Sequence, residues 1–282
     1  MQESERYVRD LIWAVSSPPL VQLAGHDVVP AQQLRASDVD REELTRYFKE
    51  HPPRRVGSYF EQLIAYWIHS IRRCEIVSQS MQLHDGTRTL GEIDLLFRDE
   101  QGRLNHWELA CKFYLQTDTV EQATSEYVGP NANDTLGKKI RRLVEHQLPL
   151  GRHHFPEIER QAAFVKGQIF YHWQTVLPES HSVQLAENHL SGHWLRAREV
   201  PELASDESVR YRVLRKPFWL ADDVASPADK GVLTAENMVQ YLHGHFRTQD
   251  SPLLISRFPP SQLSATESQR LFIVPDDWPA IS

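Results

Sequence analysis

The chain has only two cysteines, Cys74 and Cys111, in 282 residues. Two thiols, each inside an apolar or strand-like stretch, cannot build the disulfide framework of a small secreted domain, and they suit a reducing cytoplasm. Positive charge is also short: 31 Lys and Arg stand against 38 Asp and Glu, for a net charge of -7. That excludes a global basic field, so a nucleic-acid partner would have to be met by a local patch. No run reaches the roughly 18 apolar residues of a membrane span. Glu3, Glu5, Arg9 and Asp10 occupy the region where a signal peptide would be basic and then apolar, so neither membrane association nor a leader is expected. A glycine-rich phosphate loop, a Gly-x-Ser-x-Gly elbow and internal repeats are missing too. The 14 histidines include the pairs His153 with His154, His189 with His193 and His243 with His245. None has cysteines at zinc spacing, and structural or solvent roles are expected for them.

What is present argues for a globular protein. An apolar content of 40% and seven tryptophans can fill a substantial core in one large domain or two. The stretch 91–115, GEIDLLFRDEQGRLNHWELACKFYL, reads as two strands joined by a tight turn at Asp99, Glu100, Gln101 and Gly102. Its first strand is almost wholly apolar apart from Asp94. Period-two alternation in the second sets Glu108, Ala110, Lys112 and Tyr114 on one face and Trp107, Leu109, Cys111, Phe113 and Leu115 on the other. Carboxylates among Ile93, Leu95 and Leu96 are costly to bury unless they meet each other, an ammonium or a cation. Two readings follow: an ion pair inside a mixed sheet, or a pair of acids that share magnesium or manganese beside a lysine.

Around this hairpin, residues 4–15 and 40–50 read as amphipathic helices, the second capped by Asp38 or Asp40 and stopped by Pro52 and Pro53. A helix from Gly57 carries Phe60, Leu63, Ile64, Trp67, Ile68 and Ile71 on one face, with Glu61 at the edge of that stripe. Residues 75–83 read as a half-exposed strand. Residues 134–148 read as a helix with Asp134 as its cap, with Leu136, Ile140, Leu143, Val144 and Leu148 inside and Lys138, Lys139, Arg141 and Arg142 covering the opposite face and flanks. Those four cations suit either a phosphate-binding surface or an ordinary solvated face. Further strands are expected at 160–173, 210–220, 253–258 and 270–274, and a helix at 234–246.

The order helix, three strands, helix, strand, with Asp94 on the hairpin and Glu108 and Lys112 on its second strand, resembles the PD-(D/E)XK nuclease core. Two departures are plain: no proline precedes Asp94, and Ala110 stands two residues after the acid, where that pattern has lysine. Lys112 shares the face of Glu108, but roughly 13 Å of strand rise separates the two, so it must lean back. The resemblance implies Asp94 and Glu108 as metal ligands, Lys112 positioning water or phosphate, and Glu61 assisting from the preceding helix. Gln122 and Tyr127 resemble the glutamine-tyrosine pair of RecB-like nucleases, spaced one residue too far apart. Across nearly the whole chain, YVRDLIWAVSSPPL, GEIDLLF, HWELACKFYL, VGPNANDTLGKK, KGQIFYHW, NHLSGHWL, KPFWL and FIVPDDWP are similar to the bacterial domain of unknown function family 1853. That likeness implies a bacterial protein with a PD-(D/E)XK-like core.

The expected architecture is therefore α/β: a PD-(D/E)XK nuclease-like mixed sheet flanked by helices over residues 56–175, a helical extension over 1–55, and a C-terminal α+β elaboration over 176–282, packed into the same domain or standing as a second one. The expected function is a magnesium- or manganese-dependent nuclease acting on DNA or RNA. The alternative is a noncatalytic nucleic-acid-binding or scaffolding protein on a degraded nuclease fold.

Overall fold

The hairpin at 91–115 sits near one end of a ten-stranded sheet. A computed structural model describes residues 3–118, 125–175, 184–203, 205–226, 229–260 and 265–279. The helices are α1 (Glu3–Ser16), α2 (Arg41–Glu50), α3 (Val56–Tyr66), α4 (Leu136–Arg142), α5 (Leu148–His154), α6 (Val200–Leu203) and α7 (Ala235–Phe246). The first strands are β1 (Asp27–Val28), β2 (Glu75–Asp85), β3 (Arg88–Arg98), β4 (Leu104–Asp118), β5 (Ser125–Val128) and β6 (Arg160–His172). The rest are β7 (Leu190–Arg196), β8 (Arg210–Val213), β9 (Val224–Ala225), β10 (Leu253–Phe258), β11 (Ala265–Thr266) and β12 (Gln269–Val274). Among the described residues no helix is long and apolar enough to cross a membrane.

The large sheet runs β2-β3-β4-β6-β7-β12-β10-β8, with β1 beside the start of β6 and β5 beside the end of β4. Hairpins make its two ends antiparallel, while β4, β6, β7 and β12 run parallel through the middle. Parallel strands have both faces covered, which is why β6 is buried almost continuously and shows little alternation. One face is covered by α1, α2 and α3, whose Leu11, Leu44, Phe48, Phe60, Leu63 and Ile64 meet Leu95, Trp107, Leu109 and Cys111. On the other, Leu136, Ile140 and Leu143 meet Ala110, Tyr114 and Val165. The helix α7 packs Met238 and Leu242 against Leu195, Ile255 and Leu271.

The three units expected along the chain share this sheet and its main core, which takes in Tyr7 near one end of the chain and Trp219, Phe272 and Trp278 near the other. Asp10 joins them directly. Its buried carboxylate accepts the Tyr59 hydroxyl at 2.9 Å and the Ala221 N–H at 2.9 Å, and burial pushes its pKa up to about 6.

Local chemistry explains most boundaries. The turn closes as expected, with Gly102 at φ 77°, where a side chain would be strained. Asp40 caps α2 by accepting the N–H groups of Glu42 and Glu43. The strand expected over 210–220 stops at Val213, because Pro217 has no N–H for a ladder and the chain turns over residues 215–219. The helix expected over 134–148 also differs. Thr135, not Asp134, is its cap, since the Thr135 hydroxyl accepts the Lys138 N–H at 3.3 Å. A π-helical turn over Leu143–Gln147 leads into α5, so the chain stays helical past Pro149 to His154. β7, a buried strand without clean alternation, was not expected.

Candidate functional site

The site begins where β3 leaves β4. Their ladder pairs Leu95 with Trp107 through Arg98 with Leu104 and goes no further, while β2 follows β3 to its start and β5 joins β4 only from Leu115. Between Trp107 and Leu115, the edge of β4 that faced β3 has no strand beside it among the described residues. Unpaired backbone groups at a buried edge need other partners. Asp94 supplies the first one, its Oδ2 accepting the Leu109 N–H at 2.8 Å. Ser80, between the residues paired with Leu95 and Ile93, has φ 50°, so the β2–β3 ribbon bends at the level of Asp94.

Glu108 enters this fork from β4, 1% exposed, with donors on both oxygens. His106 Nε2 lies 2.8 Å from Oε1, and Gln147 Nε2 donates to Oε2 at 2.6 Å. The Gln161 amide donates to His106 Nδ1 at 2.8 Å and also to the Leu148 carbonyl. An acceptor at Nδ1 leaves the proton on Nε2, aimed at Glu108. Burial lowers the His106 pKa to about 4, so this ring is a neutral donor. Lys139 comes from α4 on the same side, its Nζ donating to Gln147 Oε1 at 2.9 Å. Gln147 thus joins the ammonium to Glu108 through the two ends of one amide. From the other face α3 contributes Glu61, half-buried and close enough for the charges of Asp94 and Glu92 to act on it.

The fork is an acidic cluster taken partly out of water. Burial first, and then mutual repulsion, pushes Asp94 and Glu61 up to about 7. Burial also raises Glu108 to about 7 against the pull of Lys139. Burial lowers the Lys139 pKa, opposed by Asp94 and Glu108. Groups in this state hold protons near neutrality and release them to a cation. Among the described residues no group of three or more His, Cys, Asp or Glu side chains could cage a metal ion. Two hard-oxygen acids from neighbouring strands nevertheless fit a cation that completes its shell with water and substrate oxygens, as magnesium and manganese do.

Of the residues singled out in the sequence, Asp94, Glu108 and Glu61 meet in the fork. Lys112 is directed elsewhere: its Nζ lies 2.7 Å from Asp134 Oδ2, which also accepts the Tyr114 hydroxyl at 3.2 Å. Lys139, assigned with Lys138, Arg141 and Arg142 to a basic surface, turns inward, while the other three are exposed. His106 and Gln147 were not singled out. The signal for His106 was its position two residues before Glu108, which puts it on the same strand face. Tyr127 is buried, and Gln122 lies outside the described residues.

Beside the open edge of β4 lies a cavity of about 540 Å³, bounded by Gly57, Lys112, Tyr114, Asn131, Asp134 and Lys216. No curated protein matches the chain, and no solved structure does. The profile of a domain of unknown function, DUF1853, matches residues 9–274. With nearly all of its sheet and the whole fork inside that match, the chain belongs to the DUF1853 family.

Proposed function

We propose that this protein is a magnesium- or manganese-dependent phosphodiesterase acting on nucleic acid, on a PD-(D/E)XK-like core. The observation that carries the reading is the fork itself. A strand pair opens at Asp94, and the gap collects Asp94, Glu108, Glu61 and Lys139 from four different elements. A buried cluster of like charges costs stability unless it binds something. Asp94 and Glu108 would hold the cation, which supplies Lewis-acid activation of water and charge neutralisation at the phosphate. His106 and Gln147 orient Glu108, and this preserves the direction of its lone pairs during turnover. Lys139 takes the role that the motif gives to a lysine on the strand, holding the water or the phosphate from the neighbouring helix. Glu61 completes the acidic rim. Lys138, Arg141 and Arg142, exposed on α4, are available to substrate phosphates.

The test is cleavage of single- and double-stranded DNA and RNA by purified protein with magnesium, manganese or EDTA. Divalent-dependent cleavage should disappear in Asp94→Asn and Glu108→Gln and fall by about 100-fold or more in Lys139→Met, the size of loss expected for one electrostatic catalytic group. Lys112→Met should retain most of it. Wild type inert with both metals, or Asp94→Asn as active as wild type, overturns the reading. One observation favours the alternative of a noncatalytic binding or scaffolding protein: both oxygens of Glu108 already have protein donors. An inert wild type that still binds nucleic acid would establish that alternative.

A further inference from the structure

Three exposed cations of the 215–230 region have no carboxylate partner among the described residues: Arg215, Lys216 and Lys230. They line a second cavity, of about 960 Å³, on the side of the 212–218 segment away from the core. Its other cations are occupied. Arg212 pairs with Asp223 and Asp229 at 2.9 Å each, and Arg6 lies 3.8 Å from Asp223. In a chain of net charge -7, a groove with three cations that make no ion pair among the described residues, Lys216 lying over the Trp219 ring at 4.8 Å, is a local reversal of sign. The groove also holds Tyr241, which is 46% exposed and one of only two large apolar side chains left exposed among the described residues. The ring of His245 lies parallel to it with centroids 6.5 Å apart.

The groove is continuous with the cavity beside β4. Lys216 lines both this cavity and the smaller one beside β4, and Pro252, between Ser251 and Leu253 of the larger cavity, belongs to the smaller. The smaller cavity also reaches Lys112 and Gly57, where a side-chain carbon would sit 4.0 Å from Glu61 Oε1. The path therefore leads from beside Glu61, past Lys112, over Lys216, to Arg215, Lys230 and Tyr241.

We propose that this path is the track of a single nucleic-acid strand whose reacting phosphate lies in the fork, with Arg215, Lys216 and Lys230 on successive phosphates and Tyr241 stacked on a base. Exposed cations beside an aromatic platform match a polyanion whose bases are free to stack. A duplex keeps its bases inside, so the exposed ring favours a single strand. The proposal rests on the phosphodiesterase reading for its orientation, and binding and cleavage are measured separately so that each can fail alone.

Binding is read by fluorescence anisotropy with labelled oligothymidylate and oligouridylate in EDTA, across a salt series. The combined Arg215→Glu, Lys216→Glu and Lys230→Glu variant should bind at least about tenfold more weakly, with a log–log salt slope shallower by about two, the value for three lost single-strand contacts. Tyr241→Ala should weaken binding roughly tenfold with little change in slope. All four substituted groups of the groove are exposed, and circular dichroism checks that the folds match. Wild-type affinity and slope in the triple variant overturn the track, as does duplex bound as tightly as the single strand. Magnesium-dependent cleavage that survives such a result leaves the fork's function standing. Loss of binding in the triple variant beside an inert wild type keeps the strand-binding groove and removes the enzyme.

Discussion

Asp94 concentrates the energetic problem of the fork in one side chain. It is held by one backbone N–H and faces two other acids, and its pKa stands at about 7. Carboxylates in an unfolded chain titrate near 4. Between these values the folded protein binds more protons than the unfolded chain, so metal-free stability falls as pH rises from about 4 to about 7 and levels off above. One pH unit of this titration is worth about 1.4 kcal/mol per group. Asp94→Asn keeps an acceptor for the Leu109 N–H and removes the charge. Its melting temperature in EDTA should therefore exceed that of wild type near pH 7.5 and approach it near pH 5. Magnesium should raise the melting temperature of wild type alone. Parallel melting curves for the two proteins across this range would contradict the assignment. At this scale the sequence was informative about Asp94 and Glu108, because a carboxylate in an apolar strand is costly wherever the strand lies. It was uninformative about which lysine joins them. Lys139 is three residues from Leu136 and four from Leu143, so its inward direction was legible in the helical stripe. The three neighbouring cations, Lys138, Arg141 and Arg142, made it read as surface.

The elements are fitted around the fork with little room, and α5 is the tightest case. A Cβ on Gly151 would lie 2.2 Å from His106 Nδ1, and the ring cannot retreat while it serves Glu108 and Gln161. Gly151→Ala is expected to cost about 1 to 3 kcal/mol by overpacking and to turn His106 away from Glu108. Gly137 in α4 is the control. Nothing lies within 4 Å of its added Cβ, so Gly137→Ala should stabilise the protein by about 0.5 to 1 kcal/mol. Urea unfolding of both variants checks the contrast, and equal shifts for the two would refute it. This fit was invisible in the sequence, where Gly137 looks like an ordinary helix-weakening residue and Gly151 lies beyond the end of the expected helix.

The whole molecule is held by one sheet, so its halves are not expected to separate. A chain cut after residue 175 would lose β7, β12, β10 and β8, exposing the outer edge of β6 at its end, together with Trp219, Phe272 and Trp278 from the core. An open parallel edge over an uncovered apolar face is an aggregation site. The truncated chain should be insoluble or lack a cooperative melt by circular dichroism. A sharp transition near that of the full chain would show that residues 176–282 are a separate unit after all.

The division between what sequence and tertiary structure decide has a physical basis. Period-two alternation, turn chemistry and capping are local, so the hairpin, its turn at Gly102, the cap of α2 and the strand β10 follow from neighbouring residues alone. The two acids followed as well, since burial of charge is costly in any fold. Which cation answers them depends on how far a strand pair stays zipped and where a helix crosses the gap. The opening of β3 from β4, the inward turn of Lys139 and the pairing of Lys112 with Asp134 are distances between elements remote in sequence. No local pattern encodes such distances, so only the packing of α3, α4 and the sheet against one another decides them.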